Sequence, residues 1–330
     1  MSPVELPPRI DVARLPTPVI PLDRLSARWG GPRIWLKRDD QTGSVLSGNK
    51  IRKLQFAVRD AIDQGADTLV TCGGVQSNHC RATAGVARLH GLDVVLMLRG
   101  SRPEELTGNY LLDRLFGAQI HFVTPEQYLD KESLLEAIAD ELNAHGRTPY
   151  VMGEGCSIPI GVWGYVEAAK EIAETERALD VRFDAYVHAC GSGGTTAGLA
   201  LGARLFDLPG DVLAMAVCDD VSYFRTKIHR LVSETIDRWK LGVTLAPDEL
   251  HIVDDYVGRG YGMTQPDELE TLATVARTEG IVLDPVYSAK AFHGLRHEIA
   301  SGRLSKAKNV LFVHTGGIFG TMAYADQLPA

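Results

Sequence analysis

Lys50 stands in the run Ser47-Gly48-Asn49-Lys50-Ile51-Arg52-Lys53-Leu54, between small polar residues and the start of a helical pattern. Far downstream, Cys190-Gly191-Ser192-Gly193-Gly194-Thr195-Thr196-Ala197-Gly198 is a glycine-threonine loop able to wrap an anion with backbone N–H groups at a helix N-terminus. A lysine of ordinary pKa, about 10.4, is a poor nucleophile at neutral pH. An aldehyde cofactor converts it to an imine that exchanges with a substrate amine, and the freed amine can then act as a base. An imine-forming amine together with a phosphate cradle is what pyridoxal 5'-phosphate requires. The plainer alternative makes Lys50 one of three basic residues on a solvated helix face.

A third segment, Gln76-Ser77-Asn78-His79, follows a strand pattern and begins a helix, so its N–H groups and polar side chains face the strand's carboxyl end. A substrate carboxylate suits that place, although Ser and Asn are also ordinary helix caps. The downstream loop admits a rival dinucleotide reading, because Gly191-x-Gly193 follows a strand and Asp219 and Asp220 end the next one. The third glycine of that motif would fall at Thr196, and a hydroxyl-rich loop suits a monophosphate better than a pyrophosphate. His293 and His297 lie four apart on a helical pattern, but no Cys or carboxylate within the segment completes a ligand set, and no metal is expected. Trp163 and Tyr165 either line the pocket or pack a helix.

These residues need a scaffold, and the composition bounds it. The 330 residues permit one large core or two moderate ones, and two lobes are the default. Hydrophobic and charged shares of 45% and 23% are ordinary for a globular protein, and a formal charge of -8 argues against nucleic-acid or membrane-surface partners. Five scattered cysteines, Cys72, Cys80, Cys156, Cys190 and Cys218, lack C-x-x-C spacing and fit reduced thiols in the cytoplasm. The start, Met1 to Pro8, has neither the basic residues nor the apolar run of a signal peptide, and no stretch approaches the roughly 20 apolar residues of a membrane span. Short β-type runs at Thr68 to Thr71, Val94 to Leu98, Gln119 to Val123, Ala185 to Ala189, Val212 to Val217 and Val310 to Val313 alternate with helical stretches, the pattern of a mostly parallel α/β sheet. Leu54, Ala57, Val58, Ala61 and Ile62 predict one core-facing helix after Lys50, ended by Gly65.

Six segments occur in order: Arg38-Asp39-Asp40, Ser47 to Leu54, Cys72-Gly73-Gly74-Val75-Gln76-Ser77-Asn78-His79, Cys190 to Gly198, Leu283-Asp284-Pro285-Val286-Tyr287 and His314-Thr315-Gly316-Gly317. Together they resemble the D-cysteine desulfhydrase and 1-aminocyclopropane-1-carboxylate (ACC) deaminase family of fold-type II pyridoxal phosphate enzymes, related to the tryptophan synthase β-subunit. The resemblance implies two three-layer α/β/α domains with mostly parallel sheets: a large cofactor-binding domain of residues 1–50 and 158–330, and a small domain of residues 51–157. It implies that Lys50 holds the cofactor and that Lys53, Ser192, Gly193, Gly194, Thr195 and Thr196 bind its phosphate. Asn49 is expected at the ring hydroxyl, and Thr315 at the ring nitrogen. Ser77, Asn78 and His79 are expected at the substrate, with Tyr261, Tyr287 and Ser288, and catalysis is assigned to Lys50, Ser77 and Tyr287.

A hydroxyl at the ring nitrogen does not impose the proton that a carboxylate would, which favours prompt β-elimination over transamination or racemisation. The expected activity is α,β-elimination from a small amino acid, with D-cysteine giving pyruvate, hydrogen sulfide and ammonia as the leading case. ACC deaminase is the nearest alternative; deaminases of the family carry Tyr-Glu where this chain has Tyr287-Ser288, and an apolar residue in place of Thr315. L-cysteate sulfo-lyase is a second alternative, carried by Cys72 to Arg81, and a non-catalytic pyridoxal phosphate carrier a third. The chain departs from the desulfhydrase pattern at Gly43-Ser44-Val45-Leu46 and at Gly153-Glu154-Gly155-Cys156-Ser157. The family also implies a homodimer.

Overall fold

The computed structural model describes residues 4–328; Met1, Ser2 and Pro3, part of the segment read as lacking a signal peptide, lie outside the described residues. In chain order the main elements are β1 (Val19–Pro21), α1 (Asp23–Trp29), β2 (Arg33–Lys37), α2 (Asn49–Asp63), β3 (Thr68–Gly74), α3 (Asn78–Leu89), β4 (Asp93–Arg99), α4 (Gly108–Leu115), β5 (Gln119–Val123), α5 (Lys131–Ala144) and β6 (Pro149–Val151). There follow α6 (Pro159–Leu179), β7 (Ala185–Cys190), α7 (Gly194–Leu205), β8 (Asp211–Ala216), α8 (Val221–Trp239), β9 (His251–Val253), α9 (Pro266–Glu279), α10 (Ser288–Ala300), β10 (Asn309–Val313) and α11 (Ile318–Thr321).

Two sheets result. One has strand order β1-β2-β10-β7-β8-β9 and is parallel except for β1, which pairs antiparallel with β2; the other, β5-β4-β3-β6, is wholly parallel. Strands buried on both faces are apolar without alternation, as β7 and β3 are. Side chains nevertheless alternate between two cores. Ile34, Leu36, Val310 and Phe312 meet Leu272 of α9 and Phe292 and Leu295 of α10, whereas Trp35, Leu311 and Val313 meet Tyr165 and Ile172 of α6 and Leu199 of α7. The smaller sheet repeats the scheme, with Leu69, Val94 and Leu96 turned toward α2 and α3, and Val70, Cys72, Val95 and Met97 toward Leu135 of α5. Each sheet is therefore the middle of three layers, as the resemblance implied.

All six strands read from periodicity are present. Of the four missed, β1, β6 and β9 have three residues each, too few to show a period, and β2 begins and ends on charged residues. The predicted stripe of α2 is buried at Leu54, Ala57, Val58 and Ala61, and the chain turns at Gly65, which has φ 76°. Ile62 departs from it and is 36% exposed. Eight residues of α-helix turn through two full circles plus about 80°, which leaves Ile62 on the edge of the stripe begun by Leu54.

Arg52 and Lys53 are fully buried, against the picture of a solvated basic face. Arg52 donates to both oxygens of Asp39 (2.8 and 2.9 Å) and both of Glu171 (2.9 and 2.8 Å). Lys37 reaches Glu171 at 2.7 Å, and the Tyr165 hydroxyl donates to Asp39 at 2.7 Å. Burial alone would raise both carboxyl pKa values, but Arg52 and Lys37 hold them below the ordinary range. Two cations and two anions thus lock α2 to β2 and α6. Gly164 of α6 permits the approach, since a Cβ there would lie 2.5 Å from the Arg52 carbonyl carbon.

Among the described residues no helix is long and apolar enough to cross a membrane, and the five cysteines are free.

Candidate active site

The carboxyl ends of β3 and β7, the N-termini of α2, α3 and α7, and the turn after β10 converge on a cavity of about 530 Å³. Open parallel sheets place ligand sites at such ends. Lys50 is the second residue of α2, and its position depends on a backbone contact. The Asn49 N–H donates to the Thr315 carbonyl (3.0 Å), and Gly48, with φ 105°, lies so close that a Cβ on it would sit 2.9 Å from the same oxygen. That contact joins the lysine motif to His314-Thr315-Gly316-Gly317 and puts Asn49, Lys50 and Thr315 on one cavity wall.

Lys50 Nζ donates to Asn49 Oδ1 (3.2 Å), and Asn49 Nδ2 donates to Thr195 Oγ1 (3.1 Å), so one hydrogen bond joins the two motifs that opened the sequence reading and two separate Lys50 from the loop. Burial lowers the Lys50 pKa to about 8, against the opposing pull of Asp284 and Glu154. Tyr287 presents its ring 5.8 Å from the amine, and its hydroxyl meets that of Tyr261 at 2.6 Å. Burial raises both phenol pKa values, so the phenols stay protonated at neutral pH. Lys290 of α10 fixes the loop carrying Tyr261 by donating to the carbonyls of Val257 (2.9 Å) and Gly260 (2.8 Å).

The loop at the start of α7 is built for an anion. Gly193 is left-handed with φ 89°, and α7 begins at Gly194, whose N–H donates to Ser157 Oγ (3.1 Å); that hydroxyl in turn donates to Ser192 Oγ (2.9 Å). Thr196 Oγ1 lies 2.9 Å from Nε2 of His188, whose pKa burial lowers to about 3. Lys53, one helical turn after Lys50, is buried and its Nζ has no hydrogen-bond partner among the described residues, yet a Cβ on Gly194 would come within 3.0 Å of it. Burial, and then the charge of Lys50, push the Lys53 pKa well down. A buried amine without a partner beside a helix N-terminus lacks an anion to hold its proton, and a phosphate supplies one. The residues present fit pyridoxal phosphate.

At the end of β3, Ser77 is the N-cap of α3, its Oγ accepting from the Cys80 N–H (3.2 Å). Asn78 Oδ1 accepts from Asn109 (2.9 Å), which orients its amide nitrogen, and no protein acceptor among the described residues takes that nitrogen. His79 lines the cavity but its Nε2 is engaged by Thr71 Oγ1 (2.8 Å), and burial lowers its pKa well below the ordinary value, leaving a neutral ring turned toward β3. Ser288 does not reach the cavity wall. It is wholly buried and donates to Asp284 Oδ1 (2.6 Å), while Asp284 also accepts from the N–H groups of Val286, Tyr287 and Ser288. Ser288 thereby helps place Tyr287 from behind.

Several cavity residues were not singled out from the sequence as site residues: Arg99, Tyr128, Lys131 and Tyr223, besides Glu154 of the divergent segment; Asp219, named only for the dinucleotide reading, also lines the cavity. Arg81 was another omission; it donates to the carbonyls of Val45 and Ser47 and so anchors the divergent loop ahead of Lys50. Trp163 and Tyr165 are packing residues, Trp163 edge-on to Trp239 and Tyr165 bonded to Asp39. Asp220 caps α8 by accepting from the Tyr223 N–H (2.8 Å), which accounts for one acid of the dinucleotide reading. The rings of His293 and His297 lie 4.4 Å apart at a tilt of 59°, and no group of residues able to hold a metal occurs among the described residues.

Residues 10–316 match the family of pyridoxal-phosphate dependent enzymes. The chain is 42% identical to the bifunctional D-cysteine desulfhydrase/1-aminocyclopropane-1-carboxylate deaminase, mitochondrial, of Arabidopsis thaliana, over 96% of this chain and 80% of that protein. It is 44% identical to a putative ACC deaminase of Thermotoga maritima, over 97% and 99%, and 40% identical to D-cysteine desulfhydrase of Serratia proteamaculans, over 97% of each. The crystal structure of an ACC deaminase homologue superposes with a TM-score of 0.90 at 39% identity, covering 97% of this chain and 95% of the other.

Proposed function

The chain belongs to the pyridoxal-phosphate dependent enzymes, in the branch of D-cysteine desulfhydrases and ACC deaminases, and we propose that it is a lyase eliminating a β-substituent from a small amino acid. One observation carries the proposal: a single turn of α2 puts Lys50, a partly buried amine of lowered pKa, on the cavity wall and Lys53, a buried amine with no partner among the described residues, beside the start of α7. In this reading Lys50 holds the cofactor, Lys53 and Ser192 to Thr196 hold its phosphate, Asn49 meets the ring hydroxyl, and Thr315 meets the ring nitrogen. When bound, pyridoxal phosphate supplies an aldehyde for the substrate amine and a ring that accepts electron density from the α-carbon.

The protein's own groups do the rest. Ser77 and the Asn78 amide hold the substrate carboxylate at the N-terminus of α3, which orients the α-hydrogen toward Lys50 Nζ. Lys50, once free, takes that proton. The paired phenols of Tyr261 and Tyr287 remain protonated and can give a proton to the departing group. His79 shapes the wall beneath the carboxylate, and Ser288 acts through Asp284 on Tyr287. D-Cysteine is the leading substrate, giving sulfide, pyruvate and ammonia. The hydroxyl of Thr315 favours elimination over ACC ring opening, which lacks an ordinary α-proton and depends on a stronger electron sink.

The same reading takes residues 1–50 and 158–330 as the large domain and 51–157 as the small one, supported by the two sheets drawing their strands from either side of these limits. A cytoplasmic homodimer is part of it, supported by the family resemblance and, for the compartment, by the free thiols. The test is release of sulfide and pyruvate from D-cysteine against release of 2-oxobutanoate from ACC. Turnover of D-cysteine exceeding that of ACC by orders of magnitude supports the proposal, and efficient ACC deamination without sulfide reverses it.

A further inference from the structure

Arg99 ends β4, and its register partner on β3 is Gly74, where a Cβ would lie 3.4 Å from the Tyr261 ring. The Arg99 guanidinium lines the cavity between two aromatic rings, 5.1 Å from the centroid of Tyr128 and 4.9 Å from that of Tyr261. Among the described residues it has neither a hydrogen-bond nor an ion-pair partner. The two rings differ in what their hydroxyls do. Tyr128 donates to Glu154 Oε1 (3.0 Å), whereas the Tyr261 hydroxyl meets that of Tyr287 at 2.6 Å. The guanidinium therefore lies against one phenol whose proton is committed to a carboxylate and one whose proton can move along a pair.

The charges around the pair are uneven. Tyr287 stands beside a buried acid, its N–H donating to Asp284 Oδ2 (3.0 Å), and its ring lies 5.8 Å from Lys50 Nζ. Tyr261 has Arg99 on its ring, with Glu154 and the Tyr324 phenol as further neighbours. Burial raises the Tyr261 pKa; the Tyr287 hydrogen bond and the charge of Arg99 pull it down, while Glu154 and Tyr324 push it up. Lys131, 5.6 Å from the Tyr128 ring, is paired with Glu132 at 3.5 Å. A cation on a phenol ring holds the phenolate more strongly than the phenol, because the ionised ring carries a full negative charge. Arg99 thus favours ionisation of Tyr261, and Asp284 opposes that of Tyr287.

We propose that Arg99 is a positioning residue that makes Tyr261 the phenol on which negative charge rests while the departing sulfur of D-cysteine is protonated. This rests on the lyase reading above and deepens it. The α-proton goes to Lys50 Nζ, and the Cβ–S bond breaks with its electron pair on sulfur. Tyr287, whose ring lies against Lys50, gives its proton to the hydrosulfide, which leaves as hydrogen sulfide. Tyr261 passes its own proton to Tyr287 along the 2.6 Å contact, and the phenolate left behind lies under the guanidinium. The proton held by Lys50 restores the pair at the end of the cycle, so no external acid, oxidant or reductant is consumed.

The test compares the holoenzyme with Arg99→Met, Arg99→Gln, Arg99→Lys, Tyr261→Phe and the double variant Arg99→Met/Tyr261→Phe, on D-cysteine and β-chloro-D-alanine. Chloride leaves without a proton, so the second substrate is an internal reference. Loss of the ring-bound cation predicts for Arg99→Met and Arg99→Gln a fall of about 3- to 30-fold in kcat on D-cysteine, with KM and the kcat on β-chloro-D-alanine changed by less than about twofold. The solvent deuterium isotope effect on D-cysteine turnover should rise as proton transfer slows, and Arg99→Lys should recover part of the loss. With Tyr261→Phe in place, Arg99→Met should cause no further loss. An unchanged kcat on D-cysteine overturns the assignment, and so do equal losses on the two substrates or the same loss with and without Tyr261, which show a general structural role. Turnover of β-chloro-D-alanine but not D-cysteine by the unaltered enzyme overturns it and leaves the lyase reading standing. Turnover of neither removes the lyase reading itself.

Discussion

The lowered pKa of Lys50 can be measured directly on the cofactor-free protein. At pH 7 an amine of pKa about 10.4 is unprotonated in roughly 4 molecules in 10,000. A pKa of about 8 raises that to roughly one in ten, a gain of about 200-fold in the form that attacks an aldehyde. The cause is burial, which penalises the ammonium form, partly offset by the negative charges of Asp284 and Glu154. Stopped-flow absorbance of the apoenzyme mixed with pyridoxal phosphate gives a second-order rate constant at each pH. Dividing it by the constant for Nα-acetyl-lysine removes the ionisations of the cofactor itself. Only the unprotonated amine reacts, so the enzyme's constant should climb about tenfold per pH unit and level off above pH 8, whereas the reference amine climbs on toward pH 10. The ratio should therefore be flat at low pH and fall above 8. Glu154→Gln removes a charge that favours the ammonium form and should move the bend to lower pH. A ratio independent of pH from 6 to 10 would mean that burial does not govern this amine, and the reasoning would fail.

Lys53→Met removes a buried amine that has no partner among the described residues, so the apoenzyme should melt no lower than the parent while cofactor affinity in equilibrium dialysis drops at least about tenfold; a lower melting point with unchanged affinity would contradict the phosphate assignment. Arg52→Met leaves Asp39 and Glu171 without their shared partner and should cost about 3–5 kcal/mol in urea unfolding, with a loss below about 1 kcal/mol counting against the network as an anchor. Gly48→Ala forces a side chain onto a backbone at φ 105° and against the Thr315 carbonyl. Its folded fraction should react with pyridoxal phosphate at least about tenfold more slowly, and an unchanged rate would show that this contact does not place Lys50.

The sequence made the scaffold legible wherever local pattern suffices. The six strands read from periodicity, of which β5 proves only partly buried, the helix after Lys50 and the two glycine-bounded loops all follow from runs of a few residues, and the cofactor follows from two of those runs taken together. What escaped it depends on pairs far apart in the chain. Arg52 was assigned no role because its partners are 13 and 119 residues away and lie on other elements. Ser288 read as a substrate contact because its neighbour Tyr287 faces the cavity, yet successive residues at a helix start point in different directions, and Ser288 turns inward to Asp284. Arg99 and Glu154 come from the small sheet and its following turn, and no short motif marks them; only the meeting of β4, Tyr261 and Tyr128 reveals a shared wall.

The buried ion network and the reactive lysine belong to one mechanical unit. Successive residues of an α-helix turn by about 100°, so Lys50 and Lys53 lie within about 60° of each other, and Arg52 lies about 160° from Lys50 and about 100° from Lys53. Arg52 is held by four hydrogen bonds to two carboxylates that β2, α6 and the Asp39 turn fix in place. Those bonds set the rotation of α2 about its axis, and with that rotation Lys50 faces the cavity and Lys53 the start of α7. The cost of burying four charges beneath the site is thus tied to catalysis: it aims an amine and an ammonium whose own burial disfavours the positions they occupy. On this account substitutions in the network that preserve folding should still slow the reaction of Lys50 with the cofactor, because they release the helix that points it.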